Sequence, residues 1–111
     1  MVPLRLLGTN GTTLDVEAVL DTGFTESLTL PQALVTGLAF PRVNTDTVTL
    51  ADGSIIVVDL YVGTVIWDGQ ARSIILHCME GSPLIGMSLI YDCFLTMQVA
   101  DGGPVSIVPI P

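Results

Sequence analysis

Asp15-Val16-Glu17-Ala18-Val19-Leu20-Asp21-Thr22-Gly23 is the stretch whose reading decides the fold. Its first half alternates polar and apolar residues, the pattern of a strand with one face inward. At Ala18-Val19-Leu20 the alternation gives way to an unbroken apolar run, which predicts a strand end buried on both faces. That strand delivers Asp21 out of a core, where an ionised carboxylate is costly unless it is paired or solvated. Thr22 adds a hydroxyl, and Gly23 allows a close approach that a Cβ forbids. The same three residues also read as an Asx-type turn closing an ordinary strand.

Outward from this stretch, the chain reads as short strands punctuated by turns. Val2 to Leu7 is an apolar strand, and Gly8-Thr9-Asn10-Gly11 turns it back into the strand that ends at Asp21. Ser27 to Leu30 alternates and stops at Pro31, and Gln32 to Leu38 has room for one or two helical turns before Phe40-Pro41. Thr45 to Leu50 and Ile55 to Val62 flank a turn at Ala51-Asp52-Gly53-Ser54, with the strand continuing to Trp67, whose simplest role is cross-strand packing. A turn at Asp68-Gly69 leads into a strand from Ala71 to Met79, and Glu80 to Pro83 is a loop. Leu84-Ile85-Gly86 precedes Met87 to Tyr91, whose apolar spacing predicts a short helix. Strands over Leu95 to Val99 and Val105 to Ile110, joined by a turn at 100–104, complete an all-β domain spanning residues 1–111.

Composition removes several function classes. The 111 residues carry a net charge of −8, with three arginines and no lysine. Phosphate backbones and anionic membranes require basic patches, which this chain lacks, so neither nucleic acid nor a membrane surface is an expected partner. No apolar run reaches the roughly 20 residues of a membrane-spanning helix. The opening Met1 to Leu7 has no basic start followed by a long apolar stretch, so the expected location is the cytoplasm. Cys78 and Cys93 read first as buried free thiols, with a disulfide between them open but not required by the sequence. His77 and Cys78 are neighbours on a strand and point to opposite faces, so no metal site and no cofactor are expected. A phosphoryl-accepting role for Asp21 is disfavoured by the lack of any lysine to stabilise the transferred charge.

The order of these features resembles the retropepsin-like aspartic proteases, in particular the small prokaryotic group whose Asp-Thr-Gly continues with phenylalanine. An apolar strand leads into Asp21-Thr22-Gly23-Phe24, a hairpin follows with Asp52-Gly53 at its tip, and Leu84-Ile85-Gly86 comes before a short helix and a final strand. The resemblance covers the chain from the first hairpin to the last core strand. It implies a single-lobed acid-protease barrel with one short helix after the second motif, active as a homodimer on a peptide or protein substrate. It also assigns Asp21 to a dyad with its symmetry mate, and gives Thr22 the role of bracing the mate's loop. Gly23 would admit substrate backbone. Ala51, Asp52, Gly53 and Ser54 would form a flap over the cleft, and Leu84-Ile85-Gly86 would pack beneath the Asp21 loop.

Hydrolysis of an amide without a covalent intermediate requires a base to activate water and an acid for the carbonyl oxygen. Two carboxylates about 3 Å apart share one proton and supply both roles, as aspartic proteases in general do. A chain with one such motif and no second lobe must pair with a copy of itself to form the dyad. This sequence also departs from the retroviral pattern. Phe24 stands where a small pocket-lining residue is usual, and Thr25 and Met87 replace an acid–arginine pair, leaving no lone buried charge. Phe24 and Thr25 are thus substrate-binding candidates. The alternative expectation is a non-catalytic dimerisation or peptide-binding module of the same fold. The apolar C-terminal strand is expected to pair either within its own domain or in a sheet shared with a mate, the second being preferred.

Overall fold

A computed structural model describes residues 2–67, 69–91, 93–97 and 105–109. Asp68 and the turn expected over 100–104 lie outside the described residues. The chain is mostly β with one short helix, in the order β1 (Val2–Leu7), β2 (Thr13–Leu20), β3 (Leu28–Leu30), α1 (Gln32–Gly37), β4 (Arg42–Thr49), β5 (Ile55–Trp67), β6 (Gln70–Cys78), β7 (Leu84–Ile85), β8 (Cys93–Met97) and β9 (Val105–Pro109).

Alternation along the first hairpin builds the floor of the core. Val2, Leu4 and Leu6 turn inward while Pro3 and Arg5 face solvent, and β2 pairs antiparallel with β1 from Val2↔Ala18 to Leu7↔Thr13. Arg5 and Asp15 are cross-strand partners joined by an exposed ion pair at 2.7 Å, a contact that contributes little beyond fixing register. The seven-stranded sheet runs β1-β2-β7-β3-β6-β5-β4, and a further pairing of Arg5–Leu7 with Thr64–Ile66 brings β1 back against β5. Inside lie Leu6, Leu28, Leu30, Val35, Leu38, Val65, Leu76, Ile85 and Leu89, each nearly or fully inaccessible. Helix α1 contributes Val35 to this core and has no side-chain cap at its start, Pro31.

Two parallel pairings position the Asp21 region. Val19 and Leu20 run alongside Leu84 and Ile85, and Thr29 and Leu30 run alongside His77 and Cys78. Between them β7 is antiparallel to β3. β7 is therefore inserted between the two strands that flank the Asp21 loop.

The hairpin β4–β5 departs from this body. Residues Ile55–Asp59 pair only with β4, whereas Thr64–Ile66 have β6 on one side and β1 on the other. The first half of β5 and most of β4 thus form a two-stranded arm, with a bulge at Val43 near its base and Ile55 and Val57 about 70% exposed at 70% and 69%. A bulge bends the strand that carries it, so it re-aims the arm where the arm leaves the body.

Several expectations are corrected. β2 is not buried on both faces at its end: Ala18 is buried, but Val19 is 37% exposed, because among the described residues only the inner face of β2 has a layer packed on it. The one helix precedes the β4–β5 hairpin, and residues 87–91 form consecutive turns instead of a helix. The Leu89 amide closes onto Gly86 O at 3.3 Å, three residues back, which is a turn and not an α-helical bond, while Met87 N and Ser88 N donate to Phe24 O and Glu26 O. The C-terminal strand β9 pairs antiparallel with β8, from Cys93↔Pro109 to Met97↔Val105, in a separate two-stranded sheet. Pairing within its own domain is thus satisfied on one edge, and Ile107 packs against the main core.

Candidate functional site

Asp21 follows β2 directly, and its loop is built by hydrogen bonds to a distant segment. The Asp21 amide donates to Ile85 O at 2.9 Å, Gly86 N donates to Ser27 O at 2.9 Å, Met87 N donates to Phe24 O at 2.8 Å and Ser88 N donates to Glu26 O at 3.2 Å. The Ser88 hydroxyl adds a bond to Thr25 O. Residues 21–27 therefore lie clamped along 85–88 at almost every step. Met87, uncharged, bonds through its amide to Phe24 O, and Thr25 O accepts from the hydroxyl of Ser88, a residue the sequence reading did not single out.

Gly86 is what makes the clamp this close. A Cβ there would collide with Glu26 O, with the Phe24 ring and with Phe24 O. Backbone atoms cannot retreat as the end of a flexible side chain can, so only glycine fits. Gly23 presents the opposite case. A Cβ on Gly23 would meet only Asp21 Oδ1 at 3.4 Å, ordinary contact, so among the described residues nothing requires the glycine.

Within the loop, Asp21 Oδ1 accepts the Gly23 N–H at 2.9 Å, and the Phe24 amide donates to Asp21 O at 3.1 Å. This is the Asx-type turn that the sequence allowed, and it fixes the carboxylate at the head of the loop. Asp21 is half-buried and Thr22 and Gly23 are exposed, so the tripeptide sits at the surface of the chain. Phe24 folds back: its ring meets the His77 ring edge-on, centroids 5.9 Å apart and planes at 80°, a favoured aromatic geometry.

The residues Ala51, Asp52, Gly53 and Ser54 form the tip of the exposed arm. Gly53 N donates to Leu50 O at 2.9 Å and Gly53 has φ +85°, while Asp52 Oδ1 accepts both the Ser54 amide at 2.9 Å and the Ser54 hydroxyl at 2.6 Å. These bonds hold the Asp52 carboxyl below its ordinary range. Among the described residues no hydrogen bond joins this tip to the Asp21 loop. The arm and the loop are instead linked lower down, where His77 Nε2 meets Asp46 Oδ2 at 3.1 Å. Sequence reading weighed His77 only as a metal ligand and did not weigh Asp46. A lone histidine in a chain of long β-hairpins was the available signal.

Cys78 diverges from His77, as alternation requires; its thiol lies 3.4 Å from Gln32 Oε1 and is pushed up by burial, with Glu80 and Asp59 adding to the effect. Among the described residues no group of histidine, cysteine and carboxylate side chains is arranged to hold a metal ion. No helix among them is long and apolar enough to cross a membrane. Comparison of the chain with family models, with curated proteins and with solved structures returns no match.

Proposed function

We propose that this chain is one protomer of a retropepsin-type aspartic endopeptidase, in which Asp21 and the Asp21 of a second copy form the catalytic dyad. The observation that carries the reading is the clamped, surface-facing Asp21-Thr22-Gly23 loop held on Leu84–Ser88. A rigid loop that presents a carboxylate outward suits a dyad assembled across a two-fold axis, since catalytic groups must be held in place before substrate arrives. The dispensability of Gly23 to the protomer's own packing supports the same reading: its small size answers to a mate or a substrate strand. The exposed Thr22 hydroxyl is available to the mate's loop, and the arm tipped by Ala51–Ser54 takes the role of flap. The sheet that returns from β5 to β1 takes the role of the acid-protease barrel.

One carboxyl of the dyad deprotonates water as it attacks the peptide carbonyl, and the other donates its proton to the carbonyl oxygen. The resulting gem-diol collapses with proton transfer to the leaving amine, restoring the shared proton. Asp21→Asn removes the base while keeping the Oδ1 acceptor for Gly23. It is expected to leave unfolding midpoint and solution mass unchanged and to lower peptide cleavage at mildly acid pH on the order of 10²–10⁴-fold. Cleavage that survives Asp21→Asn would sink the proposal.

A second reading, a non-catalytic peptide-binding or dimerisation module, draws on Phe24. Its bulky ring follows the Asp21 turn directly and packs against His77. A peptide library screened from acid to neutral pH separates the readings, because cleavage dependent on Asp21 eliminates the binding-only module.

A further inference from the structure

His77 is the single histidine of the chain, and its burial does not follow from its strand. On β6, Leu76 points into the core and is fully buried, so alternation directs His77 to the opposite face. Ile75, two positions away on that same outer face, is 47% exposed, yet His77 is only 3% exposed. Two elements from elsewhere in the chain account for the difference. The Phe24 ring covers it from the Asp21 loop, and Asp46 reaches it from the β4 arm.

The pairing with Asp46 is directional. Asp46 also accepts the Thr47 amide at 2.9 Å, and its carboxyl is held below the ordinary range by the bond from His77 first and by that amide second. An ionised carboxylate only accepts, so Nε2 carries the proton in this contact. Nδ1 is then left buried with no partner among the described residues, an arrangement that packing alone does not favour, since a phenylalanine would fill the same place without an unpaired polar atom.

We propose that His77 is a positioning residue that ties the β4–β5 arm to the Asp21 loop, through Asp46 on one side and Phe24 on the other. Calling these parts flap and catalytic loop rests on the function proposed above; the tie itself does not. Because the tip makes no hydrogen bond to the loop among the described residues, the His77–Asp46 contact is what sets how far the arm stands from Asp21.

Hydrogen–deuterium exchange of the free protein tests this without reference to any substrate. The amides to follow are those of residues 44–48 and 56–60 in the arm, with β1 and β2 as internal control. Asp46→Ala, at a half-exposed position that the core does not use, is expected to speed exchange in the arm about three- to tenfold and leave β1 and β2 unchanged. Asp46→Asn retains an acceptor for Nε2–H and should fall between wild type and Asp46→Ala. His77→Phe should match Asp46→Ala. Arm exchange that is unaltered in Asp46→Ala, or altered equally in β1 and β2, would overturn the proposal. In a cleavage assay Asp46→Ala should raise KM more than it lowers kcat, and a fall in kcat alone would count against positioning. If the wild-type protein cleaves nothing while arm exchange shifts as described, the protease reading fails and the tie stands.

Discussion

Two of the long hairpins, β1–β2 and β4–β5, end in the same turn, and one end is anchored while the other, among the described residues, is free. In Gly8-Thr9-Asn10-Gly11-Thr12 and Leu50-Ala51-Asp52-Gly53-Ser54, the first residue's amide donates to the fifth residue's carbonyl, at 2.7 and 2.8 Å. The fourth residue's amide donates to the first residue's carbonyl, at 3.0 and 2.9 Å. The third side chain accepts from the fifth amide, at 3.1 and 2.9 Å, and the glycines have φ of +83° and +85°. This is the three-residue hairpin loop with a left-handed glycine. The differences all concern the anchor. Thr9 donates through its amide to Leu38 O and through its hydroxyl to Ala39 O, and Asn10 Nδ2 donates to Gly37 O. Gly8 leaves room for the Leu38 backbone, which a Cβ would approach to 2.8 Å. At the free tip the corresponding residues are Leu50, Ala51 and Asp52, which keep the backbone amide but lack the hydroxyl donor, the side-chain N–H donor and the room that the anchor uses. Local sequence sets the turn; a few substitutions around it decide whether the hairpin is part of the body or an arm.

Exchanging residues between the tips tests that comparison. Gly8→Leu, which copies the free tip, should push the first hairpin off Leu38 and cost about 2–3 kcal/mol by urea unfolding. Leu50→Gly should cost under about 1 kcal/mol, the usual penalty of added chain freedom. An equal loss in both would mean that the anchor is not what distinguishes them. A smaller effect is expected for Thr9→Ala, about 1 kcal/mol for the lost hydroxyl bond, against a change within about 0.5 kcal/mol for Ala51→Thr.

How much of this was legible in the sequence depends on the range of the interaction. Strands and tips were readable because Asn10-Gly11 and Asp52-Gly53 act on their own neighbours. The Asx turn at Asp21 was readable for the same reason. Residues 87–91 were misread as a helix because apolar spacing does not tell a helix from consecutive turns that bury Leu89 and Ile90, and the contacts that hold the segment, to Phe24 and Glu26, lie far upstream. The exposure of Val19 depends on which strands flank β2, and the His77–Asp46 contact joins two strands that no local pattern connects.

Gly11→Ala and Gly53→Ala sharpen the comparison from the other side. Each places a Cβ at positive φ and should cost about 1 kcal/mol at both tips alike, read as faster exchange at Thr12 and Ser54. The smallest effect concerns pH. The Asp52 carboxyl is lower in the folded tip than in the unfolded chain because Ser54 donates to its charged form. Its contribution is therefore full above the ordinary aspartate range and is lost as pH falls through the depressed folded value. The protection of the Ser54 amide, the slowing of its exchange relative to an unstructured amide at the same pH, should fall on acidification in the wild type, and Asp52→Asn should remove that dependence, making the free tip as insensitive to acid as the Asn10 tip.

The clamp beneath Asp21 also dictates when the loop can exist during synthesis. Strand β2 and its partner β1 can pair as soon as both have left the ribosome, but the loop's hydrogen-bond partners, Ile85 to Ser88, are made only after β5 and β6. Closing so long a stretch of chain carries an entropy cost that local hairpins avoid. The nascent chain therefore carries the aspartate long before it carries the shape that holds it, and maturation of this loop is bound to completion of β7, not to synthesis of its own residues.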